Sequence, residues 1–247
     1  MSETNDIHRG LQGVFFDRSD VTFIDGKKGV LLYRGYSIDD LAEKSTFEEI
    51  CYLLIEGNLP NQNELDAYKS LLAEKRSIPD ELVELIKKMK SLHPMDVLQT
   101  SISYLGSIEN DNLTSVSNIK KLSADIIAKT PTIVACHKRF RENQEYIHPN
   151  KDLTHAENFL YMMSGTKPSP DEAQLIDKDF ILHAEHSSNA SSFTARVVAG
   201  TGASLYASIT AAIAALSGPA HGGAAENVMT MALEIERPEN AKNYIKE

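Results

Sequence analysis

Short apolar runs broken by turn residues open the chain, and helix-period patterns fill the rest. Val14-Phe15-Phe16 and Val21-Thr22-Phe23-Ile24 read as β segments. Asp25-Gly26-Lys27-Lys28-Gly29 supplies turn chemistry before Val30-Leu31-Leu32-Tyr33, so the pattern predicts a hairpin over 21–34. Beyond it, Ser37 with Asp40 and Thr46 with Glu49 have the spacing of helix N-caps with an acidic third residue. The second opens a helix to Glu56, stopped by Gly57-Asn58 and Pro60. Further helices are predicted over 61–76, 79–90 and 94–105, then over 119–141 with a kink before Pro131, and over 154–163 up to Gly165. Polar loops are expected over 107–118 and 143–153. Ser169-Pro170-Asp171-Glu172 combines an N-cap, proline at the first helical position and an acid at the third, and predicts a helix reaching His186. From Arg237-Pro238-Glu239 a helical pattern runs to Glu247. There is no internal repeat. The expected fold is mainly α, multi-helical, with a small N-terminal β hairpin.

Between Ala203 and Leu216, nine of fourteen residues are Ala, Ser or Thr. Leu205, Ile209, Ile213 and Leu216 form one stripe, and Tyr206 is the large exception on the other faces. Such a helix suits burial on several sides, either as a central core helix or across a symmetric subunit interface. The stretch 197–225 carries no charge, but Gly200, Gly202, Gly218 and Pro219 interrupt it. The continuous part falls well short of the ~20 residues a spanning helix needs.

The 247 residues hold 25 Lys and Arg against 35 Asp and Glu, a net charge of −10. That field argues against coating nucleic acid or an anionic membrane. Two cysteines, Cys51 and Cys136, make no disulfide scaffold and no C-x-x-C pair. The polar Met1–Gly10 segment lacks the apolar core of a signal peptide, so a cytoplasmic setting is expected.

Two histidines have informative surroundings. His186 is expected near the C-terminal end of its helix, where the dipole favours an imidazolium. Ser187, Ser188 and Asn189 follow as donors and caps, which would suit a carboxylate. His221, in Gly218-Pro219-Ala220-His221-Gly222-Gly223, is expected at a helix N-terminus, where a neutral imidazole is favoured. A neutral donor beside open backbone suits polarising a carbonyl while an enolate forms. Each histidine could equally be a cap or a loop residue. His183 and His186 lack a completing metal ligand, and Gly200-Thr201-Gly202 lacks the sequel of a nucleotide loop.

Taken together, these segments resemble the citrate synthase family along nearly the whole chain. The likeness rests on Tyr33-Arg34-Gly35-Tyr36, Glu56-Gly57-Asn58-Leu59-Pro60, His93-Pro94-Met95-Asp96, Pro131-Thr132-Ile133, His183-Ala184-Glu185-His186 with Asn189-Ala190-Ser191, and Gly218-Pro219-Ala220-His221-Gly222-Gly223. It implies an acyltransferase that condenses acetyl-CoA with oxaloacetate to citrate and CoA. No metal or other cofactor is implied. The implied fold is the family's large helical domain over 1–247, incomplete, and the implied assembly is a homodimer packed through the helix near 203–216. It also implies that His221 bonds the thioester carbonyl, and that His186 and Asn189 bind the oxo acid. Ser187 stands where the family usually has Glu. The family's smaller domain, with its Gly-x-Gly-His-Arg segment, its proton-abstracting Asp and its carboxylate-binding arginines, is expected to be missing. The chain alone is therefore expected to be inactive. A 2-methylcitrate synthase using propionyl-CoA and a non-catalytic helical dimerisation module are the alternatives.

Overall fold

The structure, a computed structural model, describes residues 18–109 and 115–245. The Val14–Phe16 run and the last two residues lie outside the described residues. A three-stranded antiparallel sheet comes first: β1 (Thr22–Asp25), β2 (Val30–Tyr33) and β3 (Tyr36–Ser37). The hairpin is in register, with Thr22 opposite Tyr33 and Asp25 opposite Val30. The sequence pattern misses β3, which pairs only two residues and is too short to show alternation.

Among the described residues twelve helices follow: α1 (Ile38–Lys44), α2 (Phe47–Glu56), α3 (Gln62–Lys75), α4 (Asp80–Lys88), α5 (Pro94–Ile108), α6 (Val116–Arg141), α7 (His155–Ser164), α8 (Pro170–His183), α9 (Ala190–Ala199), α10 (Leu205–Leu216), α11 (Gly223–Ile235) and α12 (Ala241–Tyr244), with a 3-10 turn at Pro238–Asn240 before α12. The mainly helical expectation holds. Caps explain most starts. The Thr46–Glu49 and Ser169–Glu172 boxes form as expected, and Asn61–Glu64 and Thr154–Glu157 make two more. Gly57 and Gly165 end α2 and α7 at φ of 100° and 86°.

α6 is the axis. It stays helical through Pro131, because Ala128, Pro131, Thr132, Ile133, Ala135 and Cys136 are buried among neighbouring helices. Tertiary packing there outweighs the lost proline hydrogen bond. The main core joins Leu82, Ile86, Ile102, Leu105, Leu122, Ile133 and Phe140 with Tyr206 and Ile213 of α10. A second core sets Tyr33 of the sheet against Leu41, Ile50, Leu53 and Ile181.

Tyr206 is the anchor of α10. Its ring is 3% exposed, and its hydroxyl donates to Asp125 Oδ2 at 2.6 Å. Asp125 is buried in α6 and pairs with Lys129 at 2.5 Å and Lys75 at 3.6 Å. The carboxylate is thus neutralised on two sides, as a buried charge requires. Gly106 of α5 lets α10 come close, since a Cβ there would sit 2.5 Å from Tyr206 Cβ. An open groove of about 390 Å³ runs between α5 and α10, lined by Ser103, Ser107, Ala207, Thr210 and Ala211.

Helix ends elsewhere are tied by a half-buried Asp177 and a buried Glu48. Asp177 of α8 accepts from the Phe47 N–H at 3.2 Å and so caps α2. Glu48 of α2 accepts from the His155 N–H at 2.8 Å, at the start of α7. The His155 ring packs against Phe47 and Phe180. Burial, helped by Arg76, lowers His155 from 6.5 to about 3.

The folded-state value lies below the unfolded one, so the neutral ring stabilises the fold above about pH 6.5. That stability is lost as pH falls toward about 3. The His155→Phe variant is expected to lose this acid-dependent slope, worth about 5 kcal/mol over the window. Urea unfolding of both proteins across that range checks it, and parallel curves would show that another group sets the acid limit.

Candidate active site

The site forms where α8 ends and α9 begins. Tyr33, fully buried at the end of the central strand, reaches the α8 terminus, its hydroxyl lying 3.1 Å from the Ile181 carbonyl and 3.3 Å from that of Leu182. The same hydroxyl accepts from the Glu185 N–H at 3.2 Å. These bonds occupy the last carbonyls and turn the chain out of the helix at His183, not at His186 as the cap pattern predicts. His186 therefore lies three residues past the helix, exposed, outside the last turn where a helix dipole acts. It belongs to the loop that enters α9.

That loop is fastened at several points. The Glu185 carboxylate accepts from the Ser187 N–H at 2.5 Å. Ser187 takes φ of 61°, a left-handed conformation unusual for a non-glycine residue. Asn189 caps α9, its Oδ1 accepting from the Ser192 N–H at 2.9 Å and from the Ser191 hydroxyl at 2.7 Å. His183, Glu185, His186, Ser187, Asn189 and Ser192 line a cavity of about 350 Å³. Of the predicted residues, His186 and Asn189 share it.

His221 arrives from the other side. After α10, the chain makes a tight turn in which the Gly222 N–H donates to the Leu216 carbonyl at 2.9 Å and the His221 N–H to that of Gly218 at 2.9 Å. A Cβ at Gly222 would lie 2.4 Å from the Leu216 oxygen. The glycine there is demanded by the turn itself. α11 starts at Gly223, so His221 does sit at a helix N-terminus. Its Nε2 is 2.9 Å from Ser191 Oγ in the first turn of α9.

This contact joins the two motifs. Asn189 Oδ1 only accepts, so the Ser191 hydroxyl hydrogen lies on that bond. His221 Nε2 must then donate to Ser191 Oγ, which leaves Nδ1 for a ligand. Rotation of the hydroxyl toward His221 reverses the arrangement and places the ring hydrogen on Nδ1. Sequence reasoning places Ser191 inside a motif but misses this bridging position, because the two residues are thirty apart. Among the described residues no group of three or more His, Cys, Asp or Glu is placed to hold a metal, and no helix is long and apolar enough to cross a membrane.

The family model described as "Citrate synthase, C-terminal domain" matches residues 10–247. The chain belongs to the citrate synthase family. It is 43% identical over 244 residues to a citrate synthase of Deinococcus radiodurans, covering 98% of this chain and 64% of that protein. It is 39% identical to 2-methylcitrate synthase 2 of Corynebacterium glutamicum, covering 98% of this chain and 65% of the relative. It superposes with a TM-score of 0.92 and 31% identity on citrate synthase of Thermoplasma acidophilum, solved as a ternary complex with carboxymethyl coenzyme A and oxaloacetate, covering 98% of this chain and 64% of that one. The chain thus spans just under two thirds of the length of these family members.

The turn carrying His221 makes a sharp prediction. Gly222→Ala forces the Leu216 carbonyl and His221 apart and is expected to destabilise the protein by about 1–3 kcal/mol. Denaturant unfolding measures the loss, and an imidazole NMR signal for His221 unchanged by the substitution would contradict this account of the turn.

Proposed function

We propose that this chain carries part of the site of an acyltransferase of the citrate synthase type, joining acetyl-CoA to oxaloacetate with formation of a carbon–carbon bond and release of CoA. The observation that carries the reading is the 2.9 Å contact between His221 and Ser191, which sets that ring beside the loop bearing His186 and Asn189. In the reading, the Ser191 hydroxyl turns to donate to His221 Nε2. Nδ1–H then donates to the thioester oxygen, on which negative charge grows as the methyl proton leaves. His186, exposed beside the Asn189-capped start of α9, faces the anionic oxo acid. The helix N-terminus adds partial positive charge there, which suits carboxylates in a protein of net charge −10.

Acetyl-CoA is favoured over propionyl-CoA by the higher identity to the citrate synthase than to the 2-methylcitrate synthase. One methylene is worth only ~1–3 kcal/mol of discrimination, so parallel turnover with both thioesters is the decisive comparison.

The homodimer is part of the proposal. The open α5–α10 groove, lined by small residues with Ala207 exposed, suits close approach of a second copy. The setting proposed is the cytoplasm.

Oxaloacetate is expected to raise the melting temperature of the protein, as any ligand of the native state does. His186→Ala should remove the rise, and a melting curve indifferent to oxaloacetate would leave only a helical module. In the protein made from its gene, His221→Ala should lower kcat by about 10²–10⁴-fold, the usual worth of a positioned acid–base or oxyanion group. Ala207→Arg should halve the mass seen by sedimentation. An unchanged mass would place the dimer contact elsewhere or show that there is none.

A further inference from the structure

Glu185 sits against the expected chemistry of the His186 cavity. Among the described residues that line it, Glu185 alone carries a carboxylate. A negative charge there repels an anionic oxo acid, and in a half-buried position that repulsion is stronger than in water. Coulomb forces alone therefore argue against an acid at this position. Its hydrogen bonds show what it does instead.

His186 is exposed, so the backbone on either side of it, and not packing, aims its ring. That backbone is fastened at both ends. Upstream, the Glu185 N–H donates to the Tyr33 hydroxyl at 3.2 Å, and Tyr33 is fully buried in the second core. Downstream, Ser187 takes φ of 61°, a conformation that a residue with a side chain rarely holds unaided. The Glu185 carboxylate reaches past His186 and accepts from the Ser187 N–H at 2.5 Å. A bond from an N–H to a carboxylate is of the stronger, charge-assisted kind. The Ser187 carbonyl then accepts from the Asn189 N–H at 3.1 Å and from the Ser192 hydroxyl at 3.3 Å, which ties the turn to the start of α9. One residue thus grips the chain on both sides of His186, by its own amide and by its carboxylate.

We propose that Glu185 is a positioning residue for the oxo acid: its carboxylate locks Ser187 in the left-handed turn and so aims His186 at the ligand. The proposal rests on the reading of His186 as the group that faces the oxo acid. The two effects of Glu185 have opposite signs. As a charge it weakens the binding of an anion, and as a tether it strengthens it.

Calorimetric titration with oxaloacetate, on the protein made from its gene, separates the two. Glu185→Ala removes both charge and tether and is expected to weaken binding about tenfold, the worth of one charge-assisted hydrogen bond. Glu185→Gln removes the charge and keeps an oxygen that accepts from the Ser187 N–H, so it should bind at least as tightly as the parent. Adding Ser187→Gly to Glu185→Ala should recover most of the lost affinity, because glycine takes a positive φ without a tether. Ligand-free melting temperatures should agree across the set. A Glu185→Ala protein that binds as tightly as the parent, or more tightly, overturns the proposal. So does a loss that neither the glutamine nor the glycine change repairs, or one matched by a fall in ligand-free melting temperature. A parent protein that takes up no oxaloacetate overturns the reading of His186 itself, and this proposal with it.

Discussion

The bond from Tyr206 to the buried Asp125 carboxylate is the constraint on which the rest of the molecule hangs. It ties α10, whose Ile213 joins the main core beside it, to the long α6. Lys129 and Lys75 make the buried charge tolerable, and Gly106 clears the space that the Tyr206 ring needs. α10 is flanked in sequence by the two halves of the site. α9 precedes it and presents Asn189 and Ser191 on its first turn, and the turn that follows it presents His221. A shift of α10 would therefore move His221 and disturb its contact with Ser191.

The site itself is a set of helix termini brought together. The end of α8 is stopped by Tyr33, a residue of the small sheet, which gives that sheet a role in shaping the loop. The start of α9 is capped by Asn189, whose single carbonyl oxygen serves both the helix and the Ser191 hydroxyl. One hydroxyl hydrogen then decides whether Nδ1 of His221 accepts from or donates to a ligand. Such an arrangement requires no large motion to switch. A hydroxyl rotation is enough.

Elsewhere in the fold, ionised groups do structural work that apolar packing alone would not specify. Asp177 caps α2, Glu48 caps α7, and Arg76 ties the end of α3 to the segment before α7. Burial raises Asp177 to about 6, with Glu48 adding to it, and lowers His155 to about 3. The two opposed shifts share one cause, removal of charge from water. Each helix end gains a partner, and the protein becomes sensitive to acid through His155.

The chain by itself determined what is local. Capping boxes at Thr46 and Ser169, glycine stops at 57 and 165, the 22–33 hairpin and the helical periods follow from residues within a few positions of one another. The ordered His183–Ser191 and Gly218–Gly223 motifs carried the family resemblance for the same reason. Tertiary structure alone decided where α8 stops, what Tyr206 bonds to, and that Ser191 links the two motifs. In each case the deciding partner lies far away in sequence: Tyr33 from Glu185, Asp125 from Tyr206, Ser191 from His221. A capping signal reports only the energy of its own turn. A buried hydroxyl or carboxylate takes its hydrogen bond wherever folding offers one, and that choice exists only once the helices are packed.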